Sequence, residues 1–175
     1  TVYIHDGFGN DTIIGGEGGT DADLIDLSDL TSPVTVMFTS DEAGTITDGV
    51  DTISFSEIER FVLTDQADFV DAWTNDVVGE RSIDAGDGND TVWGYDRSDN
   101  VTLGSGDDEA WGHSGDDRIE GNDGSDTIYG NMGSDTLLGG AGDDTLSGGQ
   151  HADSLLGGDG ADTFVLADSF GSDTI

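Results

Sequence analysis

The chain has no cysteine, no lysine, one proline in 175 residues, and no apolar run near the length of a membrane span. Without cysteine, neither disulfides nor thiolate metal sites are available, and the redox compartment stays open. Only Arg60, Arg81, Arg97 and Arg118 oppose 39 acidic groups, for a formal charge of -35. Phosphate binding requires clustered cations, so nucleic acid is excluded as a partner, and an anionic membrane surface with it. A membrane helix needs about 18 apolar residues in a row, and residues 1–10 lack the charged-then-apolar layout of a signal peptide. A chain this acidic repels itself when compact, so it is either disordered or held by counterions. It begins at TVYIHDG and stops at FGSDTI, both in mid-pattern, which reads as a piece of a longer protein.

What is abundant is glycine and aspartate in a strict register. From Ala85 the sequence divides without insertion into AGDGNDTVW, GYDRSDNVT, LGSGDDEAW, GHSGDDRIE, GNDGSDTIY, GNMGSDTLL, GGAGDDTLS, GGQHADSLL and GGDGADTFV, ending at Val165. Position six is aspartate throughout: Asp90, Asp99, Asp108, Asp117, Asp126, Asp135, Asp144, Asp153 and Asp162. Position eight is always apolar: Val92, Val101, Ala110, Ile119, Ile128, Leu137, Leu146, Leu155 and Phe164.

The residue types predict the shape of one unit. Glycine at positions one, two and four permits positive φ and lets carbonyls turn toward a common point, so this part is expected to be a loop. The last three residues, such as Thr136-Leu137-Leu138, alternate outward, inward, outward and predict a three-residue strand. One buried side chain contributes about 1.5–3 kcal/mol. Ordering each residue costs about 1–2 kcal/mol of backbone entropy, so a unit cannot fold alone. Stacking of units is therefore required.

Aspartate oxygens and loop carbonyls, with no histidine at a fixed position, form a hard all-oxygen site that favours calcium over zinc or copper. Magnesium fits less well because it retains its waters. The competing reading is a solvated acidic turn whose aspartate accepts backbone amides, which nine units in register argue against. An EF-hand lacks its glutamate at position twelve, and one proline excludes collagen.

These units resemble the RTX nonapeptide GGxGxDxUx, a calcium-binding parallel β-helix signature. The resemblance implies an all-β, right-handed parallel β-roll (a β-solenoid) with two nonapeptides per turn and calcium between the loops of units n and n+2. Carried onto this chain, it pairs Asp90 with Asp108, Asp126, Asp144 and Asp162 on one edge, and Asp99 with Asp117, Asp135 and Asp153 on the other. Nine units make seven such pairs, hence up to seven ions. The carbonyl donors fall on Gly86, Gly88, Gly104, Gly106, Gly115, Gly124, Gly133, Gly140, Gly142, Gly158 and Gly160. Two further aspartates join the candidates: Asp11, at position six of DGFGNDTII, and Asp173, placed to close a site above Asp153. Without calcium the chain is expected to be largely unfolded, since metal binding supplies the folding free energy.

Several positions depart from the pattern. Arg97 and His151 replace the fourth-position glycine, and Tyr95, His113, Asn122 and Asn131 the second. The loop 94–99 departs furthest. His113 and His151 have no fixed partner that would make a zinc or catalytic site. Trp93, Trp111 and Tyr129, 18 residues apart at position nine, predict an outward aromatic ladder: a shield for the sheet, or a surface for a glycan or another chain.

The chain divides into an irregular β-coil region, 1–84, and a regular roll, 85–175. In the first, GGEGGTDADLI from Gly15 carries an insertion before Ile25, and PVTVMF, GTIT and VDTISF read as strands with Gly and Asp turns. SEIERFVLTDQADFVDA ends in a worn unit whose position six is Asp68, and at 76–84 Arg81 stands where the ligand belongs. Two extra residues precede Gly171. The reading is a calcium-binding module rather than an enzyme, since no nucleophile–base pair or catalytic triad appears. The resemblance implies a secreted bacterial protein, often exported by the type I route, and an extracellular or cell-surface location.

Overall fold

A computed structural model describes residues 1–15, 23–40, 42–72, 81–166 and 171–175. Most of the insertion at 15–25, the spacing at 76–80 and the shift before Gly171 lie outside the described residues.

The irregular region holds β1 (Val2–Tyr3), β2 (Thr12–Ile14), β3 (Leu24–Asp26), β4 (Thr35–Ser40), β5 (Ala43–Thr47), β6 (Thr52–Ser56), β7 (Arg60–Val62), β8 (Phe69–Asp71) and β9 (Arg81–Asp84). The array follows with β10 (Thr91–Tyr95), β11 (Asp99–Ser105), β12 (Glu109–Ser114), β13 (Arg118–Asp123), β14 (Thr127–Met132), β15 (Thr136–Ala141), β16 (Thr145–Gln150), β17 (Ser154–Asp159) and β18 (Thr163–Phe164). Among the described residues there is no helix, and so none long and apolar enough to cross a membrane.

Successive strands of the array alternate between two sheets. One runs β1-β3-β7-β9-β11-β13-β15-β17, the other β18-β16-β14-β12-β10-β8-β4-β5-β6-β2. Pairing is parallel except in the antiparallel meander β4-β5-β6. Each turn of this solenoid uses two nonapeptides, so residues 18 apart are neighbours: Ile119 pairs with Leu137, Leu137 with Leu155, and Ala110 with Ile128. The position-eight side chains fill the space between the sheets, and Ile119, Ile128, Leu137 and Leu146 are wholly buried.

The strands are longer than the three residues expected. Most run from position seven of one unit through position three of the next, as Thr136–Ala141 does. A second inward position falls on the first glycine of each unit, and there the expected reason for glycine is wrong. Position-one glycines do not take positive φ. They are needed for space: a Cβ on Gly139 would collide with Oδ2 of Asp144 and the carbonyl oxygen of Gly157. Ala85 and Leu103 take this position in the first and third units and are themselves fully buried.

The irregular region contributes the largest apolar side chains of the buried core. Phe38, Phe55 and Phe61 meet edge to face with centroids 5.0–5.3 Å apart. This geometry suits the ring quadrupoles, and Ile25, Leu27, Ile46, Ile53, Ile58 and Leu63 close the core around them.

Candidate metal centre

Where each strand ends, positions two to six turn the chain into the other sheet. Position two is left-handed in all nine units, with φ from +73° to +124°. Glycine accepts this conformation freely, whereas Tyr95 and His113 hold it under strain. Position four is left-handed in every unit except at Arg97. These dihedrals aim the carbonyls of positions two and four along the stack. The carbonyl oxygen of Gly88 lies beneath Cα of Gly106, that of Gly106 beneath Gly124, and that of Gly124 beneath Gly142. A side chain on the upper residue would fill the cradle.

The aspartates form two columns. On one edge the N–H of Asp90 donates to Oδ1 of Asp108, Asp108 to Asp126, Asp126 to Asp144, and Asp144 to Asp162, at 2.8–3.1 Å. On the other, Asp99 donates to Asp117, Asp117 to Asp135, Asp135 to Asp153, and Asp153 to Asp173. Asp11 stands apart: it is exposed, its carbonyl accepts the N–H of Ser54 in the meander, and among the described residues no aspartate donates to its carboxylate.

Each carboxylate except that of Asp99, whose two oxygens are both unbonded, therefore spends one oxygen on an amide. The other, Oδ2, is buried without a hydrogen-bond partner at Asp90, Asp99, Asp108, Asp117, Asp126, Asp135, Asp144 and Asp153. A buried carboxylate oxygen with no donor must be neutralised by a proton or a cation. Burial pushes the Asp90 and Asp126 carboxyls up to about 7, Asp117 to about 8 and Asp135 to about 6, with neighbouring aspartates adding to the shift. The backbone amides pull the other way and are overcome. Side chains alone make no cage: among the described residues no cluster of three or more His, Asp or Glu is placed to hold a metal. A cation here must also use the carbonyls, and an all-oxygen set of this kind suits calcium.

Sequence reasoning missed position five. Its side chains form a second ladder with the opposite sense: Asn89 accepts the N–H of Asp107, Asp107 that of Ser125, and Asp116 that of Ser134. The signal was present, since position five is Asn, Ser or Asp in seven of nine units. The turn at 64–68 is likewise a full member of the stack. The carbonyls of Thr64 and Gln66 lie beneath Gly86 and Gly88, and Asp68 donates its N–H to Oδ1 of Asp90.

The aromatic row follows the expected register, Trp93 beside Trp111 beside Tyr129, and Phe69 extends it below Trp93. Tyr95 and His113 stack on the same face, 4.5 Å apart, because their position-two side chains project beside the row.

Parallel coils with carboxylate and carbonyl columns at their edges define a repeat protein of the solenoid class, with cation positions between its turns. A profile described as the RTX calcium-binding nonapeptide repeat (four copies) matches residues 3–27, 82–110, 93–128, 103–137 and 129–164, more than half of the chain. The chain belongs to this family and is a calcium-binding β-roll module. No curated protein matches it.

Proposed function

We propose that the chain is a calcium-triggered folding module of a secreted bacterial protein, unfolded over its array at cytosolic calcium and folded after export. The observation that carries this is the set of eight buried Oδ2 atoms without donors, stacked in two columns on a chain of charge -35. In this reading Asp90 to Asp162, with Asp173 closing the top of one column, hold the ions together with the carbonyls of positions two and four. The seven n/n+2 pairs between Asp90 and Asp162 set the upper count within the array. Bound calcium supplies charge neutralisation at those oxygens. The protein's own residues supply the spacing, the amide bonds that orient each carboxylate, and the apolar stripe that keeps water out. Because the site does not exist in the unfolded chain, binding free energy becomes folding free energy. The role is structural rather than catalytic.

Far-UV circular dichroism with calcium and then excess chelator tests the reading. The β signal of the array is expected to appear with calcium and disappear with chelator; a spectrum indifferent to both would refute it.

A second reading concerns the aromatic face. Trp93, Tyr95, Trp111 and His113 line a cleft of about 220 Å³, and two of the four hold a strained backbone where asparagine and then glycine occur in the units above. Strain retained at a cleft favours use, and half-buried rings stack well on a glycan or on another chain. Replacing Trp93 and Trp111 by alanine should leave calcium-dependent folding in place while abolishing glycan binding.

A further inference from the structure

At the base of the array both aspartate columns end in groups unlike those of the higher turns. In the Asp99 column the residue 18 below is Arg81, paired with Asp99 in the β9–β11 ladder. Its side chain is 2% exposed, lies 4.4 Å over the Phe38 ring, and donates to the carbonyls of Ala72 and Gly94 at 3.1 and 3.3 Å. A second buried guanidinium, Arg97, occupies position four of the same loop without the positive φ of the other units, while its carbonyl still lies beneath Gly115. Both guanidinium charges favour the ionised Asp99 carboxylate, neither oxygen of which accepts a hydrogen bond, while burial opposes them. In the other column the lowest carboxylate, Asp68, is satisfied on both oxygens: Oδ1 accepts the N–H of Val34 at 2.7 Å, Oδ2 accepts that of Thr64 at 2.8 Å, and the Thr64 hydroxyl reaches both.

Two permanent positive charges thus stand at the Asp99 turn, where the higher turns have none, and a closed set of donors holds Asp68. The same end carries the phenylalanine cluster, and Ala85 and Leu103 fill the inward positions that are glycine above. A fixed guanidinium and an exchangeable divalent ion compete for one carboxylate, since together they would leave excess positive charge in a buried place.

We propose that Arg81 and Arg97 take the place of calcium at the Asp99 turn, and that, with the self-satisfied Asp68 loop, they make the chain up to about residue 103 a calcium-independent base on which the calcium-dependent turns are laid down. The inference rests on the calcium reading above and sharpens it. The Asp99–Asp117 pair drops out of the seven, leaving six within the array, and folding acquires a direction. The base offers β10 and β11 as preformed edges, so each added turn closes against an ordered neighbour instead of nucleating a new stack.

Hydrogen exchange on the full chain, read by mass spectrometry in excess chelator and then in calcium, separates the possibilities. In chelator, peptides from 24–72 and 91–103 should exchange at least roughly tenfold more slowly than those from 109–164, and calcium should protect the latter. Uniform exchange along the chain in chelator, with calcium protecting all of it together, would overturn the base while leaving the calcium reading intact. No protection by calcium anywhere would instead sink the calcium reading. A second arm keeps the idea testable if the base is fragile: Arg81→Asp with Arg97→Gly restores the repeat pattern. Native mass spectrometry should then find one more calcium per chain and exchange should find 91–103 calcium-dependent; an unchanged ion count would count against the guanidinium assignment.

Discussion

Asp126 donates its backbone N–H to Oδ1 of Asp144 at 2.9 Å, while Oδ2 of Asp144 is buried beside Gly139 with no donor. The two carboxylates are 18 residues apart in sequence and successive in one column. This arrangement separates the two oxygens of one side chain into a structural one and one that awaits a charge.

Asp126→Asn keeps an oxygen for the N–H of Asp108 and removes a negative charge from the column. In calcium, the midpoint of the folding titration should rise by roughly tenfold or more, about 1.4 kcal/mol per tenfold. In chelator the same variant should be more folded than the parent, because a buried unpaired charge is gone. Calcium titrations followed by circular dichroism check both signs, and a variant shifted the same way in both conditions would contradict the division of labour.

Gly139→Ala should destabilise the calcium-loaded protein by about 1–3 kcal/mol, the usual penalty for overpacking, since the new Cβ meets the Asp144 carboxylate and the Gly157 carbonyl. Ala141→Gly, on the exposed end of the same strand, is the control and should cost less. Thermal denaturation in saturating calcium measures the difference.

Asp107→Ala removes the acceptor for the N–H of Ser125 but belongs to the position-five ladder. A loss of about 0.5–1.5 kcal/mol is expected, with the number of bound calcium ions unchanged. Loss of an ion on counting by native mass spectrometry would show that position five is a ligand as well.

In the metal-free chain the column carboxyls govern the response to pH. The carboxyls of Asp90 and Asp126 sit at about 7 and that of Asp117 at about 8 in the folded state, against an ordinary value near 3.8 when unfolded. The folded state binds more protons, so stability is fully present at the acid end and is lost as pH rises through about 8. With chelator present, the β signal of the array should grow as pH falls from 8 toward 5. With calcium the dependence should reverse, because protons compete with the ion. A chelated chain equally unfolded at both pH values would contradict the burial of these groups.

Much of this was legible in the sequence. The nine-residue period, the aspartate at position six and the apolar residue at position eight specify a loop, a ligand and an inward side chain, and the 18-residue stacking of Trp93, Trp111 and Tyr129 follows once two units make a turn. Misreadings came where the residue type has two physical uses. Glycine at position one was read as a conformational need and proved to be a steric one, visible only when Asp144 is seen packed against Gly139. Which segment lies against Asp11 was likewise not legible: it is the last strand of the meander, with Thr12 paired to Ser54.

By itself the sequence determined the unit: local geometry follows from glycine, aspartate and a single apolar residue at close range, where the chain has little choice. Only the tertiary structure decided which groups meet along the stack. That Arg81 lies under Asp99, that the N–H of Val34 closes on Asp68, and that from Asp108 upward one oxygen of each column carboxylate is bonded by the turn below depend on register between segments 18 or more residues apart. Such register is set by packing of the whole solenoid, which no nine-residue pattern contains.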